Sequence, residues 1–184
     1  MQVSSLYLLR LLNNELWHNY GMEKIRFVKA REEDTDLVLE TLNEATQYKN
    51  EHSDDSWGSE LWQAREIADS IEAGNRYLVY MGSEVVGSFV LVWADELWAD
   101  GCATAAYIHQ LALNSDFHGL NIGSKMLDMA TIIAKENGKT VLRLDCNYEN
   151  KKLYEYYEQM NFMLQGTVKS KSANHTIALL QKDI

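Results

Sequence analysis

Apolar and polar positions change rhythm several times along the chain, and each change marks an element. Ile25 to Lys29 alternates, which predicts a strand with one buried face. From about Glu32 the period lengthens to that of a helix. Leu37, Leu39, Leu42 and Ala45 supply its apolar side, and Asp34 and Asp36 sit near its positive N-terminus. Residues 49–60 are polar and acidic around Trp57 and Gly58 and predict a loop. Glu60 to Glu72 reads as a second helix, stopped by Gly74. Arg76–Met81 and Val85–Trp93 are apolar runs joined by Gly82-Ser83, a hairpin pattern. A loop from Asp95 to Gly101 leads to a fourth strand, Thr104–Leu113. Ile122, Met126, Met129 and Ile133 recur at spacings of four, three and four, so the next helix has one apolar face. Thr140–Cys146 predicts a fifth strand, Asn150 to Gln159 a helix, and Phe162–Ser170 with His175–Leu180 a closing hairpin through Ser172-Ala-Asn174.

Residues 1–21 stand apart. Leu6, Leu9, Leu12, Leu16 and Trp17 share a helical stripe, which predicts a helical extension: an added amphipathic helix, a dimer contact or a leader translated upstream of Met22. The segment is too short and polar to span a membrane, and it lacks the basic start and small-residue cleavage site of a signal peptide. Residues 22–184 fit one domain, long enough to bury a core. Their predicted order is β-α-α-β-β-β-α-β-α-β-β, an α/β chain.

The formal net charge is −10 and the pI is about 4.9. That argues against nucleic acid, which needs basic patches. An acidic surface gives solubility, and it also attracts a cationic substrate such as an amine. Cys102 and Cys146 form no disulfide framework, and no metal-ligand spacing occurs, so no metal is expected. Two unpaired cysteines suit a reducing, cytoplasmic setting. The chain contains no proline, for which the sequence offers no functional account.

The strand from Tyr107 to Leu113 feeds a loop with Gly119 and Gly123, Asn121 between them, and then the helix. A strand, a glycine-bearing loop and a helix N-terminus make an anion site, because backbone N–H groups and the helix dipole both favour negative charge. The nucleotide P-loop needs Gly-Lys-Ser/Thr, but Gly123 is followed by Ser124 and then Lys125. The dinucleotide pattern Gly-x-Gly-x-x-Gly is also absent. What remains, His118-Gly-Leu-Asn-Ile-Gly-Ser124, resembles the pyrophosphate loop of the GCN5-related N-acetyltransferases, Gln/Arg-x-x-Gly-x-Gly/Ala. His118 falls on the Gln/Arg, Asn121 on the first Gly and Gly123 on the second. Downstream, Asn150, Tyr157, Glu158 and Phe162 match that family's second signature, with Asn161 in place of its Gly. Tyr107-Ile-His-Gln-Leu-Ala, Leu142-Arg-Leu-Asp-Cys146 and Tyr156-Tyr-Glu resemble one bacterial subgroup.

The resemblance implies a mixed, mostly antiparallel sheet of about seven strands, with the fourth and fifth splayed apart and about four helices flanking it. It implies that acetyl-CoA lies in the splay as a co-substrate. Leu111, Ala112 and Leu113 would meet the pantetheine arm through their backbone. His118, Gly119, Leu120, Asn121, Ile122, Gly123 and Ser124 would hold the pyrophosphate, and Asn150 and Tyr157 would complete the cofactor side. The implied reaction is direct attack of an amine on the thioester. Tyr157 is the candidate acid, since a phenol can donate to a forming thiolate, with a core tyrosine as the plain reading. His109 is the candidate base, where the similar serotonin N-acetyltransferases carry a histidine, with a structural histidine as the plain reading. Asp145 and Glu96 are substitutes. Trp57, Trp62, Asp54 and Asp55 lie on the segment that lines the acceptor site in similar enzymes, and aromatics with carboxylates suit an amine. The expected partner is a small amine, with neither nucleic acid nor membrane, for a monomer or homodimer. An acyl-CoA-binding sensor without turnover, or an acetyltransferase of proteins or peptides, are the alternatives.

Overall fold

A computed structural model describes residues 15–20, 23–170 and 175–184. Eight strands form one sheet: β1 (Glu15–Tyr20), β2 (Glu23–Lys29), β3 (Arg76–Met81), β4 (Glu84–Val92), β5 (Ala105–Leu113), β6 (Val141–Asn147), β7 (Met163–Lys169) and β8 (Thr176–Asp183). Their order across the sheet is β1-β2-β3-β4-β5-β6-β8-β7. Among the described residues only β5 and β6 run parallel; the other pairs are antiparallel. Four helices flank it: α1 (Thr35–Glu51), α2 (Ala64–Glu72), α3 (Ile122–Glu136) and α4 (Lys151–Gln159). The expected mixed sheet and helix count hold, and β2 to β8 are the seven expected strands.

The eighth strand corrects the helical reading of the N-terminal extension. Glu15 to Tyr20 pairs antiparallel with β2, from Glu15 opposite Val28 to Tyr20 opposite Glu23. The free edge of β2 offers a ladder of backbone partners that overrides a weak helical stripe. The rest of that stripe, and the turn at 172–174, lie outside the described residues.

Neighbouring positions on one strand serve opposite faces. Tyr77 and Val79 join Phe27, Phe89, Leu91 and Ile108 beneath Met126, Met129, Ala130 and Ile133 of α3. Leu78 turns the other way and, with Ala112, packs under Val38, Leu42 and Ala45 of α1 and Ile67 and Ile71 of α2. Each fully buried Leu, Phe or Met contributes about 1.5–3 kcal/mol, so both helix layers are held by their stripes rather than by propensity. The buried side of α1 is Val38, Leu42 and Ala45; Leu37, expected there, is exposed.

Turns follow their residues. Gly74 and Gly82 take φ of +64° and +63° at the end of α2 and in the β3–β4 hairpin, as expected. The second helix begins only at Ala64, where Gln63 and Glu66 form a reciprocal cap. Among the described residues no helix is long and apolar enough to cross a membrane.

Candidate active site

The site begins where β5 and β6 part. They pair from Ala105 opposite Val141 to Ile108 opposite Leu144. Beyond that, β6 stays on β8 as far as Asn147, while β5 stays on β4. The predicted splay is therefore present, and Leu111, Ala112 and Leu113 lie along its β5 side. A bulge marks the parting. Ser88 opposes Ala112 and Val90 opposes His109, so Gln110 and Leu111 share the single opposite residue Phe89. Gln110 has φ +48°.

At the far end of β5 the chain enters the glycine loop. Asn121 takes φ +60° and ψ +20° as the N-cap of α3. Asparagine tolerates this left-handed position better than other non-glycine residues, so the departure at Asn121 keeps the loop's conformation. Its side chain is turned aside, accepting a hydrogen bond from Ser124 Oγ at 2.6 Å. No side chain caps the first turn of α3, and no acid lies in it. By contrast Glu66 caps α2, and Asn150 accepts from Leu153 N–H at α4. The first N–H groups of α3 are thus open to an anion, which fits a pyrophosphate. Gly123 sits under Tyr156: a Cβ there would lie 2.8 Å from the phenolic oxygen. His118 is exposed. Its Nε2 lies 3.2 Å from the Leu113 carbonyl oxygen, and its ring meets Tyr48 edge-on at 4.7 Å.

His109 occupies the first position past the last β5–β6 pair. Its Nε2 is 3.4 Å from Asp95 Oδ2 and its Nδ1 is 3.8 Å from Asp145 Oδ1. Asp95 comes from the loop after β4, and its Oδ2 is buried without a hydrogen-bond donor. The Asp145 carboxyl is raised above the usual carboxylate range. Burial is the main cause, the charge of Asp95 adds to it, and His109 and His175 oppose it. A ring with a carboxylate at each nitrogen can accept a proton and share the resulting charge. These three side chains also offer one ligand atom each within 4.8 Å of one another, so they could hold a metal ion. The sequence expectation of no metal rested on local spacing, which these distant positions lack. A cavity of about 460 Å³ opens at Asp95, lined by Trp93, Glu96, Cys102 and Tyr107 as well.

Tyr157 is 6% exposed, set edge-on to Tyr156 and Phe162 at ring distances of 5.5 and 5.9 Å. Burial, then the neighbouring Cys146, Tyr156, Asp145 and Asp54, push its phenol well above the ordinary tyrosine range. It stays protonated, and it resists being left as phenolate. Asn161 takes φ +66° where α4 ends, so Phe162 turns back to donate its N–H to the Tyr157 carbonyl at 3.0 Å.

Residues 37–162 match the model of the acetyltransferase (GNAT) family. The chain belongs to that family. It is 27% identical to the uncharacterized N-acetyltransferase YesJ of Bacillus subtilis (strain 168) over 143 residues, 73% of this chain and 79% of that protein. It shares its fold with a GNAT-family acetyltransferase from Listeria monocytogenes at a TM-score of 0.74 and 19% identity, covering 91% of this chain and 99% of that one. A putative acetyltransferase from Salmonella typhimurium, solved with its cofactor acetyl-CoA, superposes at a TM-score of 0.68 and 16% identity, over 89% and 94% of the two chains.

Within this GNAT fold the sequence-predicted acceptor residues divide. Asp54 is 2% exposed and already engaged. Lys49 Nζ donates to it at 2.7 Å, Asn150 Nδ2 at 2.7 Å, Asn147 Nδ2 at 3.1 Å and Ser56 N at 3.2 Å. Burial alone would raise its carboxyl, but these donors hold it well below the usual carboxylate range. Trp62 gives its indole N–H to Thr46 at 2.9 Å and packs on the α1 layer. Trp57 is half-buried, edge-on to Trp62 at 6.0 Å, with Lys49 Nζ 5.3 Å from its ring. Asp55 is exposed. The residue that sequence reading missed is Asp95. Its only signal was an acidic pair beside an aromatic at a strand end, and Glu96 was named instead.

Proposed function

We propose that this acetyltransferase moves the acetyl group of acetyl-CoA directly to a primary amine of a small molecule. The observation that carries the reading is His109, set between Asp95 and Asp145 where β5 leaves β6. Bound acetyl-CoA supplies an activated thioester. The backbone of Leu111, Ala112 and Leu113 aligns its arm, and the loop from His118 through Gly119, Leu120, Asn121, Ile122 and Gly123 to Ser124 receives its pyrophosphate. Asn150 braces this wall from α4, with one hydrogen bond to Leu153 N–H and one to Asp54. His109 takes the proton from the ammonium, and the flanking carboxylates stabilise the imidazolium. As the C–S bond breaks, Tyr157 donates its hydroxyl proton to the departing sulfur. The second proton shed by the nitrogen as the amide forms returns to the Tyr157 oxygen, leaving the amide, the CoA thiol and one proton that His109 passes to water. Because burial disfavours phenolate, the Tyr157 proton must be returned within the same turnover. The acceptor's cationic end is assigned to the acidic side of the site, where Asp95 and Glu96 with Trp93 and Tyr107 line the cavity, with Trp57 and Asp55 of the α1–α2 loop as further candidates. The net charge of −10 draws such a cation from a distance.

The test is thiol release from acetyl-CoA over polyamines, arylalkylamines, aminoglycosides, amino acids and peptides, run on wild type and Tyr157→Phe. Tyr157→Phe should lower turnover on the best amine about 100-fold, the scale of acid–base catalysis, while acetyl-CoA affinity changes little. Near wild-type turnover would reduce Tyr157 to a core residue. Binding of acetyl-CoA with no release on any acceptor would favour a sensor, and release on peptides alone would move the acceptor class.

A further inference from the structure

Arg76 opens β3 and is 1% exposed. Its Nε–H donates to Ser70 Oγ at 2.9 Å, one terminal N–H donates to Ser88 Oγ at 3.3 Å, and the other donates to the side-chain oxygen of Gln110. Among the described residues it has no carboxylate partner. Burial lowers its pKa to about 10. Burying a guanidinium without a counter-charge is costly, so the fork must do something that an apolar side chain of the same size could not.

Its three acceptors come from α2, β4 and β5, and the third stands at the bulge. Four non-glycine residues have positive φ among those described: Ser53, Gln110, Asn121 and Asn161. Gln110 alone of these lies inside a strand. A left-handed residue there is strained, and a side chain held at its far end by a rigid fork keeps it in place. The bulge follows His109 and takes in Leu111, the first of the three arm-lining residues, so its shape sets both the aim of the histidine and the course of the open β5 edge.

We propose that Arg76 is a positioning residue for acyl-CoA: through Gln110 it fixes the bulge that keeps the β5 edge open to the arm. This rests on the reading that acetyl-CoA lies in the splay. It does not require Arg76 or the Gln110 side chain to touch the ligand.

Two substitutions at one position separate these ideas. Gln110→Ala and Gln110→Gly both delete the amide, but only glycine adopts φ near +48° without strain. Acetyl-CoA binding is measured by calorimetry, with thermal melting as the check on folding. Gln110→Ala should weaken Kd about tenfold, the scale of one strained left-handed residue, and Gln110→Gly should stay within about threefold of wild type. Arg76→Met should match Gln110→Ala, and Arg76→Met with Gln110→Gly should recover most of the loss. If Arg76→Met does not fold, the Gln110 pair decides the matter alone. Equal Kd for the alanine and glycine variants, both normal or both impaired, overturns the proposal while leaving the cofactor reading intact. No binding by the wild type overturns both.

Discussion

Two carboxylates on the same side of the sheet, Asp54 and Asp145, meet opposite fates. Asp54 is fully enclosed yet supplied with four donors from Lys49, Ser56, Asn147 and Asn150. Asp145 is partly exposed, and the His109 ring lies 3.8 Å from it. Burial raises both carboxyls, but at Asp54 the hydrogen bonds more than reverse it, and at Asp145 nothing does. The contrast separates a carboxylate used to build from one left with capacity to react. Asp54 ties the α1–α2 loop to β6 and α4 across 93 and 96 residues of sequence. Asp145 spends none of its capacity on the fold.

The largest effect should come from Asp54→Ala. It leaves Lys49 and two asparagine amides without their acceptor in a closed site, which costs about 3 kcal/mol. In a chain of this size that is a fall in Tm of about 10 °C. Because the folded-state carboxyl lies below its ordinary value, Asp54 stabilises at neutral pH and its contribution fades as pH falls below about 4. The gap between variant and wild type in thermal melts should therefore close in acid. An unchanged Tm at pH 7 would return Asp54 to the pool of acceptor-site candidates.

His109→Gln comes next. It should lower turnover about 100-fold, equivalent to about 2.7 kcal/mol of barrier, with Tm nearly unchanged. A large loss of stability with normal turnover would make His109 a second Asp54.

The smallest effect is the sharpest in sign. Asp145 is raised in the fold, so its stabilising contribution is complete only below its unfolded value, near 4, and is lost as pH rises through the folded pKa. At pH 7 it weighs against folding. Asp145→Asn should therefore raise Tm at pH 7 by about 2–4 °C, roughly 1 kcal/mol, while lowering activity. Melting curves from pH 3 to 8 should show the gain vanish on the acid side. A lower Tm at pH 7 would end the contrast between the two sites.

Most of the scaffold was legible because its signals are local. Ile122, Met126, Met129 and Ile133 lie on the buried face of α3, and Asn121 and Asn161 stand in left-handed positions that glycine would otherwise fill. Leu16 and Trp17 misled, because a helical stripe says nothing about an open β2 edge waiting for a partner. The roles of the acids were illegible for the same reason. Asp54 and Asp55 look alike in sequence, and two of the four donors that hold Asp54 inward, Asn147 and Asn150, come from far along the chain. Asp95 and Glu96 look alike too, and the choice is made by a loop that Arg143 clamps through Asp100 at 2.8 and 2.6 Å.

The four residue pairs that join β5 to β6 have a mechanical meaning as well. They make the sheet two slabs, β1 to β5 and β6 to β8, welded along one short seam and wedged open beyond it. Fewer residue pairs join the strands there than at any other seam among the described residues. A guest in the wedge then acts as a strut, bracing both slabs at the end where the chain itself supplies no rungs.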